Sequence, residues 1–246
     1  MTQTANTVPY SVSFIVPALN EEAVIESVVK DISKTVGGLL DSHEIILIDD
    51  GSSDRTGEIM DRVAGELKNI RVLHNVPNAG VGASYRRGLA EARCDYVMML
   101  CGDGGLPASS LPDILRKIGT ADIVIPYMTN LKEIKSPFRY FVSRAYTALI
   151  NLISGYRLHY YNGLPLHRRS LLNQIPITSS GFGIHSETII KLLKSGCSYV
   201  EVGIPGAEVT RHSSALRIKN VISVAGTILN LLPKLAFFRN SRTLQR

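Results

Sequence analysis

Cysteine is scarce in this 246-residue chain, and the three present, Cys94, Cys101 and Cys197, are widely separated and odd in number. That speaks against a disulfide framework, and no close Cys/His spacing suits a zinc site. Residues 1–11 lack the basic flank and apolar run of an export signal, so a reduced, cytoplasmic protein is expected. In the stretches of helical period at 137–156 and 218–238 the longest uncharged run, residues 220–233, is shorter than the ~20 residues that cross a membrane. Internal repeats and low-complexity segments are missing. No serine or cysteine triad pattern argues for covalent hydrolysis. Nor is there aromatic–basic interleaving or a nucleic-acid module, so nucleic acid is not an expected partner.

What the chain has is apolar content, 45% of its residues, enough to bury a large α/β core. It also has an uneven charge distribution. Residues 1–129 carry 11 Lys+Arg and 17 Asp+Glu, whereas residues 130–246 carry 16 and 4. The basic half is suited to anionic headgroups or a phosphorylated substrate.

Short β-branched runs at residues 12–17, 44–48, 70–73 and 96–100 read as strands. They alternate with helical spacing after Asn20-Glu21-Glu22, over 56–67 and over 82–92. Asn20 is expected to cap the first helix. The alternation predicts a mostly parallel sheet covered by helices on both faces. In such sheets ligands bind beyond the carboxyl ends of the strands, where Pro17 to Glu21, Asp49-Asp50 and Asp103 fall. Residues 137–156 and 218–238 are helical in period and flanked by basic residues. They read either as interfacial membrane helices or as ordinary packed ones.

The runs Ile15-Val16-Pro17-Ala18-Leu19-Asn20-Glu21-Glu22, Ile48-Asp49-Asp50-Gly51-Ser52-Ser53-Asp54 and Asn78-Ala79-Gly80-Val81-Gly82, with the acidic strand end at Asp103, resemble family 2 glycosyltransferases. The likeness is strongest to the dolichyl-phosphate mannose synthase and polyprenyl-phosphate branch, and it runs from about residue 13 to about 217. It implies a GT-A fold: residues 1–129 as the nucleotide-sugar half, 130–217 as the acceptor-side half of the same domain, and 218–246 as an amphipathic helix and basic tail. It further implies an inverting transfer of a hexose from a UDP- or GDP-sugar to a polyprenyl phosphate, by an enzyme peripheral on the cytosolic membrane face. A soluble hydroxyl acceptor and a non-catalytic nucleotide-sugar-binding protein remain alternatives.

Carried over residue by residue, Asp49 accepts hydrogen bonds from the base, with Pro17, Leu19 and Glu21 lining the slot. Asp50 is phosphate-side or structural, Gly80 and Gly102 allow close backbone approach, and Ser53-Asp54 cap a helix. Asp103 is the metal ligand, for Mg2+ or Mn2+, and a catalytic residue with Glu187 and Arg211. Arg139, Arg144 and Arg211 hold the acceptor phosphate, and His185 or Glu187 is a general base if the acceptor is a hydroxyl. Four departures matter. Leu19 stands where relatives usually carry an aromatic, Val81 where a basic residue is common, and Cys101 where the metal motif has its first aspartate. In 212–216 the expected lysine is missing. A thiol is a poor ligand for a hard ion.

Overall fold

A computed structural model describes residues 8–179, 181 and 183–207. Arg211, the residues 212–216 and the expected helix 218–238 lie outside the described residues. The chain divides into two compact units, 1–119 and 120–246, ahead of the change in pattern at residue 130.

The first unit runs β1 (Val8–Ala18), α1 (Ile25–Gly37), β2 (Leu40–Asp49), α2 (Thr56–Glu66), β3 (Ile70–His74), α3 (Val81–Glu91), β4 (Tyr96–Met99) and α4 (Leu111–Leu115). Its strands lie in the order β3-β2-β1-β4, and every pairing is parallel. Val12, Phe14, Ile15, Val16 and Ile45 to Ile48 are fully buried. Such continuous apolar runs are what strands covered on both faces require. Glycine decides how closely one helix approaches: a Cβ on Gly88 of α3 would run into Ile15 of β1 and Ile48 of β2. The register pairs Ala18 with Asp49, and Leu100 N–H donates to the Ile15 carbonyl. The carboxyl ends of β1, β2 and β4 therefore form one edge.

Both long strands extend beyond the apolar runs that signalled them, and α1 begins later than its cap signal. Val24 is its N-cap residue, with no side-chain bond. Asn20 instead adopts a positive φ of 57° and turns toward the loop after β2. The short Asx side chain tolerates that backbone region and finds stronger partners there than in its own helix.

The second unit runs β5 (Ile123–Met128), α5 (Leu131–Ile134), α6 (Pro137–Ser154), β6 (Leu166–Arg168), α7 (Arg169–Leu172), α8 (Ile184–Lys194) and β7 (Tyr199–Ile204). The β5–β7 pair is parallel and the β5–β6 pair antiparallel. Gly163 sits so tightly on the Pro126 carbonyl of β5 that no Cβ fits there. Among the described residues no helix is long and apolar enough to cross a membrane.

Candidate functional site

Asp49 ends β2 with a nearly buried side chain. One carboxylate oxygen accepts the Ser52 N–H at 3.0 Å, and the other meets His74 Nδ1 at 3.2 Å. A carboxylate has about four lone-pair sites, so both oxygens keep acceptor capacity. Burial alone raises the Asp49 pKa, but the bonds from Ser52 and His74 outweigh it and hold the carboxyl below its usual range. His74 also reaches Asp61 at 3.1 Å. Its pKa is raised, first by the bond to Asp49 and then, against desolvation, by Asp61. The family 2 motif gives no hint of His74, since it lies on the neighbouring strand.

Asp50 plays a different part. Oδ1 accepts from Asn75 Nδ2 at 2.8 Å, Ser84 Oγ at 2.9 Å and Ala79 N–H at 3.0 Å, and Oδ2 from Gly80 N–H at 2.9 Å and Asn78 Nδ2 at 3.0 Å. Five donors fill a buried carboxylate, so of its two expected roles the geometry supplies the structural one. Gly80 N–H is spent on the same carboxylate, which leaves that amide unavailable to a phosphate. Gly80 has φ 86° and is the N-cap residue of α3. Gly51 is required where it stands, because φ is +74° and a Cβ would lie 2.8 Å from Asn78 N.

The loop after β1 and the turn after β2 are stitched together. Asn20 N–H donates to Ser52 Oγ at 3.0 Å, while Asn20 Oδ1 accepts the Ser53 N–H at 2.8 Å. Glu21 N–H donates to Thr56 Oγ1 at 2.8 Å, and Arg55 N–H to Glu22 Oε2 at 3.1 Å. Arg55 is the N-cap residue of α2 and makes no side-chain cap bond; Asp54, just before it, accepts the Thr56 N–H at 3.0 Å, while the Ser53 N–H and hydroxyl serve Asn20. Pro17 is buried, Glu21 is partly exposed, and Leu19 is 44% exposed at this edge.

At the end of β4, Gly102 N–H donates to the Pro17 carbonyl at 3.1 Å, and a Cβ there would lie 2.6 Å from Ala18 Cβ. The glycine seats this strand end on β1. Asp103 is exposed and accepts the Gly105 N–H through Oδ1 at 3.0 Å, leaving Oδ2 open. Burial pushes the Cys101 thiol far up, and the charges of Asp103 and Glu21 push it further. It therefore stays neutral and offers no thiolate. No group of three ligating side chains occurs among the described residues. One hard carboxylate fits a divalent ion only if substrate phosphates and water complete the shell, a mode in which Mg2+ is commonly bound.

In the second unit Glu187, expected as a catalytic residue, lies buried in an ion pair. The carboxylate is 2% exposed. It is paired with Lys191 one helical turn away, and it accepts the Ser179 N–H at 2.7 Å and Thr178 Oγ1 at 2.7 Å. Burial would raise its pKa, but Lys191 and the Thr178 and Ser179 donors hold it at about 2. Such a group anchors a loop and makes a weak base. His185, also considered as a base, is buried, and desolvation drives it down to about 4. Arg139 and Arg144 both lie on α6. Five residues of an α-helix turn through about 140° net, so the two project from different sides.

The sequence model described as "Glycosyl transferase family 2" matches residues 13–190. The chain belongs to glycosyl transferase family 2. Among curated relatives of this family 2 chain, an undecaprenyl-phosphate 4-deoxy-4-formamido-L-arabinose transferase of Pseudomonas paraeruginosa is 28% identical over 189 residues, 71% of this chain and 55% of that protein. An undecaprenyl-phosphate mannosyltransferase of Micrococcus luteus is 28% identical over 207 residues, 79% of this chain and 82% of that protein. The chain spans about half the length of the arabinose transferases it matches. Glucosyl-3-phosphoglycerate synthase of Mycobacterium tuberculosis, solved with phosphoglyceric acid, superposes with a TM-score of 0.69 at 25% identity, over 91% of this chain and 80% of that one. The fold is GT-A.

Proposed function

We propose that the chain is an inverting glycosyltransferase that moves a hexose from a UDP- or GDP-sugar to a polyprenyl phosphate at a membrane surface. The observation that carries this reading is Asp49, an ionised carboxylate with spare acceptor capacity at a parallel-strand end beside the exposed Leu19. Asp49 accepts from the base, and Leu19 covers one face of it. The lipid relatives of family 2 point to the acceptor. A phosphate acceptor also suits the poor bases Glu187 and His185: a phosphate monoester has a second pKa near ~6 and is itself the nucleophile. One of its oxygens bonds to the anomeric carbon with inversion as the bond to the donor diphosphate breaks, and the nucleoside diphosphate leaves. A divalent ion held by Asp103 would neutralise the diphosphate. Arg139 and Arg211 supply charge for the acceptor phosphate.

Peripheral membrane association is supported by α6, whose outward face carries Phe138, Phe141, Val142, Leu149 and Leu152, all exposed. Titration calorimetry against UDP, GDP and NAD tests the donor. Binding of UDP or GDP that collapses in Asp49→Ala is expected, and binding of NAD alone would sink the proposal. Transfer that survives in Asp103→Asn would remove that residue from the chemistry. A second reading, a soluble phosphorylated acceptor, is favoured by the likeness to the synthase solved with phosphoglyceric acid. Parallel assays with polyprenyl phosphate in vesicles and with phosphoglyceric acid separate the two.

A further inference from the structure

Beside α6 lies an open cavity of about 310 Å³, lined by Arg144, Thr147, Ala148, Asn151, Arg157 and His159. Its shape follows from Asn151, whose side chain donates to the Leu158 carbonyl and accepts the Leu158 N–H, both at 3.0 Å. Those bonds return the chain to the helix it has just left and bring Arg157 to the same cavity as Arg144. Neither guanidinium makes an ion pair or hydrogen bond among the described residues. His159 is fixed on two sides. Its ring stacks on Tyr127 at 4.4 Å, and its Nδ1 and backbone N–H meet the Glu201 carboxylate at 3.0 and 2.7 Å. Among the described residues that leaves Nε2 as the ring nitrogen without a protein partner. Lys194 lies over the ring of Tyr156, the residue before Arg157, at 5.3 Å. Glu201, the acidic residue that reaches this cavity lining among the described residues, is engaged with His159.

Two guanidinium forks form a receptor for a phosphate oxyanion, and the imidazole adds an Nε2–H donor to it only when protonated, because Nδ1 is turned to Glu201. Arg139 does not line the cavity. The same helix exposes Phe138, Phe141, Val142, Leu149 and Leu152, an apolar stripe at helical spacing that suits burial in a lipid interface. We propose that this cavity binds the headgroup phosphate of an anionic glycerophospholipid. Arg144 and Arg157 clamp the phosphate, and the stripe of α6 enters the acyl boundary. The inference rests on the membrane-surface part of the function proposed above, and it assigns to Arg144 a ligand other than the acceptor.

Flotation of the full-length protein tests it, using phosphatidylcholine vesicles with or without phosphatidylglycerol or phosphatidic acid, all free of polyprenyl phosphate. Binding to the anionic vesicles is expected, weakened roughly tenfold or more, about 1.4 kcal/mol, by Arg144→Gln with Arg157→Gln. Arg139→Gln should leave it within about twofold. Both substituted arginines are exposed, and unchanged UDP or GDP affinity certifies folding. Inorganic phosphate that binds the wild type and competes with vesicles supports the cavity as the seat. Binding that needs polyprenyl phosphate in the vesicle, or that persists in the double variant, overturns the proposal. Transfer to a water-soluble acceptor analogue in detergent is measured alongside: its loss in wild type sinks the transferase reading and leaves the flotation result intact.

Discussion

Asp49 and His74 hold each other in their charged forms, and the direction of each shift fixes when that pairing stabilises the fold. The depressed Asp49 contribution is present above its ordinary 3.8 and disappears as acid protonates it. The raised His74 contribution is complete below its ordinary 6.5 and fades as pH rises through its folded value. The pair therefore acts fully between those two values. Nuclear magnetic resonance titration should give His74 a pKa above 6.5 that drops back in Asp49→Asn; an unmoved His74 would contradict the pairing. Cys101 offers the complementary test. A neutral thiol stands where relatives have a first metal carboxylate, so Cys101→Asp should tighten Mn2+ binding in the presence of a nucleoside diphosphate by tenfold or so, about 1.4 kcal/mol. Calorimetry with and without the diphosphate measures it.

At the scale of elements, Gly88 and Glu187 set how helices sit. Gly88→Ala should destabilise the first unit by about 1–3 kcal/mol, the range for overpacking, seen as a lower denaturation midpoint. A neutral result would mean that α3 is free to move off the sheet. Glu187→Gln leaves the Lys191 ammonium buried without its partner and should cost about 3–5 kcal/mol. The wild type should lose that contribution in acid, as pH falls from the ordinary 4.5 toward about 2. A variant as stable as wild type but with little transfer would restore Glu187 to catalysis. Strand and helix order was legible because short continuous apolar runs alternate cleanly with runs of helical period. Helix starts were less so: Asn20 looks like a cap by type and position, yet its side chain has partners thirty-odd residues away that no local pattern reveals. The same limit applies to Asp50. Its residue type suits a ligand contact, and only the fold brings Asn75, Asn78 and Ser84 to its oxygens.

For the whole molecule, the sequence disclosed the segregation of charge, acidic in the first half and basic in the second, but not the outward apolar face of α6. Helical period is equally consistent with a buried stripe, and tertiary packing decides which side faces solvent. Here the inward side carries hydrogen-bonding groups, Tyr146 to Ser186 at 2.7 Å and Ser154 to Tyr161 at 3.2 Å. Phe138→Ser with Phe141→Ser should therefore weaken vesicle binding several-fold and leave nucleotide affinity unchanged. Flotation and calorimetry on the same preparation check both halves of that statement. Binding should also weaken with salt, because the basic residues attract anionic lipid over a Debye length of only about 8–10 Å near physiological ionic strength.

The stitching between the loop after β1 and the turn after β2 means that neither segment is free to drift in sequence by itself. Asn20, Glu22, Ser52, Ser53 and Asp54 serve one another's backbone amides, so a substitution on one side strands a donor or acceptor on the other. The energies of Asn20→Ala and Ser53→Ala should then be non-additive in a double-mutant cycle. Across descendants of this gene the two segments should change in concert or not at all.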